Sequence, residues 1–248
     1  MKTTTLDLET LTPDVPELER DQDESPYEYA LRLHDHKRKH SFASLPDHEP
    51  VVYSWLEVET QKSGSKFQLH TYGMDEDNDE LGTLGHLQQV LDASSRLITF
   101  NGRRFDYPVL VLRAMTHRLP WPTAKWADER FERDYGRKLW HYDLYEILGF
   151  HGAARRISLN GLARLCKLPG KQGADGASVK KLWEAGRYEE VKRYCNHDVF
   201  TTWLLYLLWN ITRGHDVSHV WAESIQFARS NEHLADVYTD FPTDIDLL

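Results

Sequence analysis

The chain has 248 residues, with 30 Lys+Arg against 39 Asp+Glu and a formal net charge of −9, a length that suits one large domain with a sizeable core. Hydrophobic residues at 40% and aromatics at 12% exclude a disordered chain, and two cysteines exclude a disulfide scaffold or a Cys-rich zinc module. No run of about eighteen apolar residues is present to span a membrane, and the charged start MKTTTLDLET does not read as a signal peptide, so a reduced, cytoplasmic setting is expected.

Residues 2–8 (KTTTLDL) are β-branched and apolar enough for a strand, which Thr12-Pro13 ends. Residues 13–25 are acidic and proline-bearing and read as an exposed excursion. Ser25-Pro26 then starts a helix through about His40, since proline is tolerated in a first turn. Residues 50–60 and 66–72 predict two strands joined by a turn at Ser63-Gly64-Ser65, a hairpin. Leu81, Leu84, Leu87, Val90 and Leu91 repeat with a helical period over 79–95. A short buried strand (96–100), an Asn101-Gly102 turn and a helix from about Phe105 to His117 follow. Residues 138–143 predict one more strand. From Ser158 the sequence reads as helical: SLNGLARLCKL, ASVKKLWEAG, and a long stretch from Tyr188 to about Thr212. A last helix is expected within 216–235 and a frayed end over 239–248. Early strands, alternation in the middle and helices at the end predict an α/β fold with a mixed sheet.

The charge is unevenly placed. Residues 1–28 carry −7, residues 75–80 carry five acids and no base, and residues 216–248 carry −6. The remainder is therefore +9, a basic middle able to face phosphates while the acid clusters lie elsewhere. Net charge alone does not exclude an anionic polymer as partner.

Three acidic signals stand at the ends of predicted elements. Asp7 and Glu9 lie two apart on a strand, so both carboxylates share a face; alone, the pattern also fits an exposed strand end. Asp106, in Asn101-Gly102-Arg103-Arg104-Phe105-Asp106, sits where a strand feeds a helix, a place that suits a ligand or an acid offsetting the helix dipole. Tyr194 and Asp198, in Tyr194-Cys195-Asn196-His197-Asp198, are i and i+4 on one helical face, a pairing common on ordinary helices. The weight lies in the conjunction.

Read together as TLDLET, NGRRFD and YCNHD, these segments resemble the three motifs of the DEDD exonuclease superfamily. Arg193 stands where a histidine-type third motif would need histidine, so Tyr194 places the resemblance in the tyrosine subclass. With HYDLYEIL and SLNGLARLCKLPGK, the chain is similar to predicted exonucleases related to the proofreading domain of family B DNA polymerases. The resemblance covers roughly residues 2–212, is weakest over 10–49 and is absent beyond about 215. It implies a ribonuclease H-like fold of the DnaQ type over 1–215, with an acidic insertion at about 10–49 and an acidic C-terminal helix and tail over 216–248.

What the resemblance implies is a 3′–5′ exonuclease with Asp7, Glu9, Asp106 and Asp198 as ligands of two divalent ions, Mg²⁺ or Mn²⁺, hard cations that suit carboxylate oxygen. Tyr194 orients the attacking water. Asn101, Arg103, Phe105 and Lys171 fall where the family meets substrate, with Phe105 able to stack on a base. Asp143 reads as a helix N-cap first and as a supporting carboxylate second. Lys171 does not belong to a nucleotide-binding loop, because the required glycine spacing is missing. His34, His36 and His40 lie in a charged helical run without the rest of a metal site, and His197-Asp198 lacks the all-helical setting of HD phosphohydrolases. The expected partner is the 3′ end of single-stranded nucleic acid, DNA before RNA. The alternatives are an exoribonuclease using the same site and a catalytically silent binding module.

Overall fold

The computed structural model describes residues 1–14, 18–39, 43–75, 79–121, 140–154, 157–170 and 176–247. Five strands form one sheet in the order β3-β2-β1-β4-β5. Strand β1 (Lys2–Leu11) occupies the centre, antiparallel to β2 (Glu49–Gln61) and parallel to β4 (Arg96–Thr99). Strand β3 (Gly64–Gly73) completes the hairpin with β2, and β5 (His141–Asp143) runs parallel to β4 at the other edge. The β2–β3 turn falls one residue earlier than expected, at Lys62-Ser63, with Gln61 paired to Gly64; Gly64 opens β3 at φ +132°, a conformation that a side chain would strain.

Helices cover both faces. Leu6 and Leu8 of β1 pack with Tyr53, Trp55, Leu84, Leu87 and Leu110 under α2 (Glu80–Ala93) and α3 (Asp106–His117). Because strand side chains alternate, Asp7 and Glu9 face the other way. There lies the long helix Tyr188–Thr212, whose bounds match the expectation. Between the sheet edge and that helix come the short α4 (Leu144–Leu148), α5 (Leu159–Leu165) and α6 (Gly176–Glu184), so the long helix is α7. Helix α1 (Pro26–Lys39) stands before β2, as predicted. Its start is a capping box: Ser25 Oγ accepts the Glu28 N–H at 3.2 Å and the Glu28 carboxylate accepts the Ser25 N–H at 3.0 Å. No helix among the described residues is long and apolar enough to cross a membrane.

Two expectations need correction. The C-terminal end is packed rather than frayed. Helix α8 (Ser218–Ser230) buries Trp221, Ile225 and Ala228 in the same core as Phe200 and Leu204 of α7, and α9 (Ala235–Tyr238) adds Tyr238 to it. The chain beyond is pinned by Phe241, 5.6 Å from the Tyr238 ring, and by Arg229, which donates to the Phe241 carbonyl at 2.8 Å. Aromatic anchors outweigh the solvating acids.

The acid clusters also do not stand apart from the basic middle. Asp14 pairs with Lys180 at 2.5 Å, Asp75 with Lys192 at 2.8 Å and Asp236 with Arg193 at 2.5 Å. Glu80, the last acid of the 75–80 run, is buried at the start of α2. It accepts Tyr53 Oη at 2.5 Å and Arg113 Nε at 2.7 Å, and His117 Nε2 lies 2.6 Å away. Burial alone would raise this carboxyl group, but Arg113, His117 and Tyr53 hold it at about 2. Residues read as surface charge thus tie α2, α3 and β2 together.

Candidate active site

The site is built where β1, β4 and α7 meet. Register sets Asp7 opposite Ser54 and Glu9 opposite Val52, with an irregularity between Glu9 and Thr10. A bulge at that point increases local twist and re-aims the side chains beside it. Asp7 is half-buried and Glu9 is buried.

Asp106 reaches the same place from the other side of β1. Strand β4 ends at Thr99, and the chain turns sharply through Asn101 in the left-handed region, φ 69°. Gly102 is required here: a Cβ on it would lie 2.4 Å from the Thr99 side chain. Asp143 holds the turn. Its two oxygens accept the Asn101 and Arg103 N–H groups, each at 2.9 Å, while also capping α4 through the Tyr145 N–H at 3.0 Å. The N-cap reading of Asp143 is therefore right, and the same carboxylate shapes the motif next door. The turn delivers Asp106 as the first residue of α3, where its Oδ1 accepts the Leu8 N–H at 3.0 Å. That bond places Asp106 against the peptide between Asp7 and Glu9.

Helix α7 supplies the third side. Tyr194 is buried and donates its hydroxyl to Asp198 one turn on. The Cys195 thiol lies 3.6 Å from the Asp7 carbonyl and 3.7 Å from Asp7 Oδ2. Asn196, on the neighbouring face, accepts Ser54 Oγ at 2.5 Å and Thr71 Oγ1 at 2.6 Å, fixing α7 to β2 and β3.

The electrostatics record how close the carboxylates are. Burial pushes Asp7 well above the usual carboxylate range, and Asp106, Glu9 and Asp198 push it further. Burial raises Asp106 to about 7, against the opposing pull of backbone hydrogen bonds. Burial, with Asp198, Glu9 and Asp7, raises the Tyr194 hydroxyl, and burial with all four carboxylates raises the Cys195 thiol. Like charges without a cation make proton retention the cheaper state. All five groups expected at the catalytic centre are thus brought together.

The expected substrate contacts fare differently. Phe105 stands beside Asp106 with its ring 4.8 Å from His48, edge to face. Arg103 turns inward: its guanidinium donates to the His141 carbonyl at 2.5 Å and approaches Glu146 at 3.4 Å. Arg104 is the more exposed of the pair, with its guanidinium 5.9 Å from the Tyr145 ring centre. Lys171 lies outside the described residues, as does His40; Gly170, just before Lys171, lines a recess with Asn160, His197 and Asp198.

Two residues at the site were not anticipated. Cys195 had a signal, since i and i+3 on a helix share a face with Asp198. His48 had none; its Nδ1 meets Thr10 Oγ1 at 2.8 Å, a contact made only by folding.

No curated protein matches the chain. Residues 40–236 match a family described as predicted 3′–5′ exonucleases related to the exonuclease domain of PolB. The matched span holds Asp106, Tyr194 and Asp198, begins after the strand that carries Asp7 and Glu9, and runs through α8 into α9, further than the expected end of the resemblance near residue 212. The central five-stranded mixed sheet with helices on both faces agrees with the ribonuclease H-like α/β fold. By fold and by a match over most of its length, this chain belongs to the family of predicted 3′–5′ exonucleases related to the exonuclease domain of PolB.

Proposed function

We propose that the chain is a divalent-metal-dependent 3′–5′ exonuclease that hydrolyses single-stranded DNA from its 3′ end. The observation that carries this reading is the convergence of Asp7, Glu9, Asp106 and Asp198 with the Tyr194 hydroxyl on Asp198. The kinship to a DNA polymerase's exonuclease domain favours DNA over RNA.

The donor set fits Mg²⁺ or Mn²⁺. Carboxylate oxygens are hard ligands, and four of them crowded together are stabilised by a divalent charge. Asp7, Glu9, Asp106 and Asp198 would hold the ions, with Asp7 between the other three. When bound, two ions supply charge to both the attacking and the leaving oxygen of an in-line phosphodiester displacement.

The chain's own residues do the rest. The Leu8 N–H holds Asp106, and the Cys195 thiol lies against Asp7, so the ligands are set before substrate arrives. Tyr194 has its proton firmly held by burial and by Asp198, so it acts as a hydrogen-bonding group that orients the water, not as a base. Asn101 and Phe105 flank the cluster and suit the terminal nucleotide. Lys171, in the LPGKQG segment that resembles the family, is the proposed contact to the scissile phosphate. Arg103 supports the turn that presents Asp106, so a positioning role describes it better than a phosphate contact.

End-labelled single strands of matched DNA and RNA, with Mg²⁺, Mn²⁺ or chelator, test the reading. Stepwise release of mononucleotides from the 3′ end of DNA, faster than from RNA and abolished by chelator, is expected. Tyr194→Phe should lower kcat by about 10–100-fold, a loss of about 1.4–2.7 kcal/mol of transition-state stabilisation, with the melting temperature little changed. Absence of nucleotide release under both metals overturns the assignment, and RNA degraded faster than DNA moves it to an exoribonuclease.

A further inference from the structure

We infer that Glu57, His70 and His86 form a second metal site, suited to one Zn²⁺-type ion and lying on the opposite face of the sheet from the carboxylate cluster. The β2–β3 register pairs Trp55 with His70 and Glu57 with Gln68, which makes Glu57 and His70 diagonal neighbours on one face. That is the face Trp55 shares with α2, whereas Asp7 looks toward α7.

Helix α2 brings His86 down on the pair. Its ring lies 5.1 Å from the His70 ring at 89°, and the ligand atoms of Glu57, His70 and His86 all fall within 4.8 Å of one another. Small side-chain shifts close such spacing onto one ion at bond lengths of about 2.0–2.2 Å. Two imidazoles and one carboxylate are borderline donors, which select zinc and its neighbours over Mg²⁺ or Ca²⁺.

The surroundings are those of an oriented site. Trp55 is fully buried and stacks on both His70, at 5.1 Å, and Tyr72, at 5.3 Å, a rigid floor. Tyr72 Oη sits 3.0 Å from His86 Nδ1, fixing the ring and leaving Nε2 as the ligand atom. His70 Nε2 is buried against Glu57 Oε1 at 3.0 Å, so two of the three donor groups already face each other. Lys2 pairs with the other Glu57 oxygen, so one oxygen is held from outside while the other faces the histidines. An open cavity of about 490 Å³, lined by Lys2, Glu57, Glu59, Lys66, Phe67 and Gln68, borders the site at Glu57.

An ion there would tie α2 to the β2–β3 hairpin, a structural role that leaves the exonuclease reading untouched. The test uses the full chain, stripped by chelator, loaded with Zn²⁺ and desalted before elemental analysis, with Co²⁺ as the spectroscopic probe. Wild type and Asp7→Asn should each keep one Zn²⁺ per chain and show the visible d–d bands of low-coordinate Co²⁺. His70→Gln and His86→Asn should lose both, while hydrolysing DNA in Mg²⁺ at the wild-type rate. The inference is overturned if wild type keeps no zinc, or if the histidine variants keep as much as wild type. It is also overturned if Asp7→Asn alone loses the ion, which would place zinc in the carboxylate cluster. Should either histidine variant fail to fold, Glu57→Gln decides in the same way, since Glu57 borders the open cavity.

Discussion

Asp7→Asn should remove exonuclease activity by about 10³-fold or more, a loss of about 4 kcal/mol in transition-state stabilisation, while raising the melting temperature in chelator. The two effects have one cause. Asp7 is the carboxylate on which Asp106, Glu9 and Asp198 all press, and burial adds to the pressure. An amide of the same shape removes a charge that the metal-free protein is better without. It also removes an oxygen that would hold the ions in the proposed mechanism. A relief of about 1–3 kcal/mol is the ordinary scale for a strongly displaced carboxyl group, which in a chain of this size raises the melting temperature by about 3–10 °C. Scanning fluorimetry in chelator and single-strand hydrolysis in Mg²⁺ give the two readings. A variant that keeps near-wild-type rate sinks the role of Asp7; one that is inactive because it melts early shows that Asp7 holds the fold instead. Asp143 behaves oppositely in kind. It too is buried and raised, but it accepts the Asn101, Arg103 and Tyr145 N–H groups, so its charge is answered by donors.

What could be read from sequence, and what could not, divides along the range of the interactions. Periodicity over Tyr188–Thr212 and the turn of the β2–β3 hairpin are local: the helix formed at its expected bounds and the turn one residue early, at Lys62-Ser63. The carboxylates of the candidate site were legible because a strand's two-residue alternation and a helix's four-residue turn are also local rules. Nothing local says that Asp106 will bond the Leu8 N–H, 98 residues away, or that Arg103 will turn toward the His141 carbonyl. Charge misled for the same reason. Asp14, Asp75 and Asp236 look like solvated acids until folding sets a lysine or arginine beside each. The C-terminal stretch misled through its composition: Asp240, Asp244 and Asp246 suggest fraying, yet the fully buried Tyr238 and the partly buried Phe241 packed on it decide the matter. Packing of these two aromatic rings outweighs the weak preference of the carboxylates for water.

The stabilisation that Mn²⁺ gives should grow with pH, and the sign follows from the carboxyl groups. Without a cation, burial raises Asp106 from its ordinary value to about 7, and Asp7 is raised as well. A carboxyl group raised on folding favours the native state while it is protonated. That contribution is whole below about pH 3.8 and is lost as pH climbs through 7. In chelator Asp106 therefore weakens the fold between about pH 4 and 7, and Asp7 acts in the same direction. Cations bind the ionised form, so at pH 5 they compete with protons and at pH 8 they do not. At a concentration of about 100 times its dissociation constant, an ion binding only the native state adds about 2.7 kcal/mol, about 5–10 °C for this chain length. The rise given by Mn²⁺ should thus be near its full size at pH 8 and small at pH 5. His48, His141 and His197, held neutral chiefly by burial, destabilise the fold in the opposite direction as pH falls through their unfolded value. Reading the difference between Mn²⁺ and chelator at each pH cancels that contribution. Repeating the series in His86→Asn removes the proposed second site from the account, and Asp7→Asn should flatten the dependence. An equal rise at pH 5 and pH 8 in the wild type would mean that the ions stabilise the chain somewhere other than at these carboxylates.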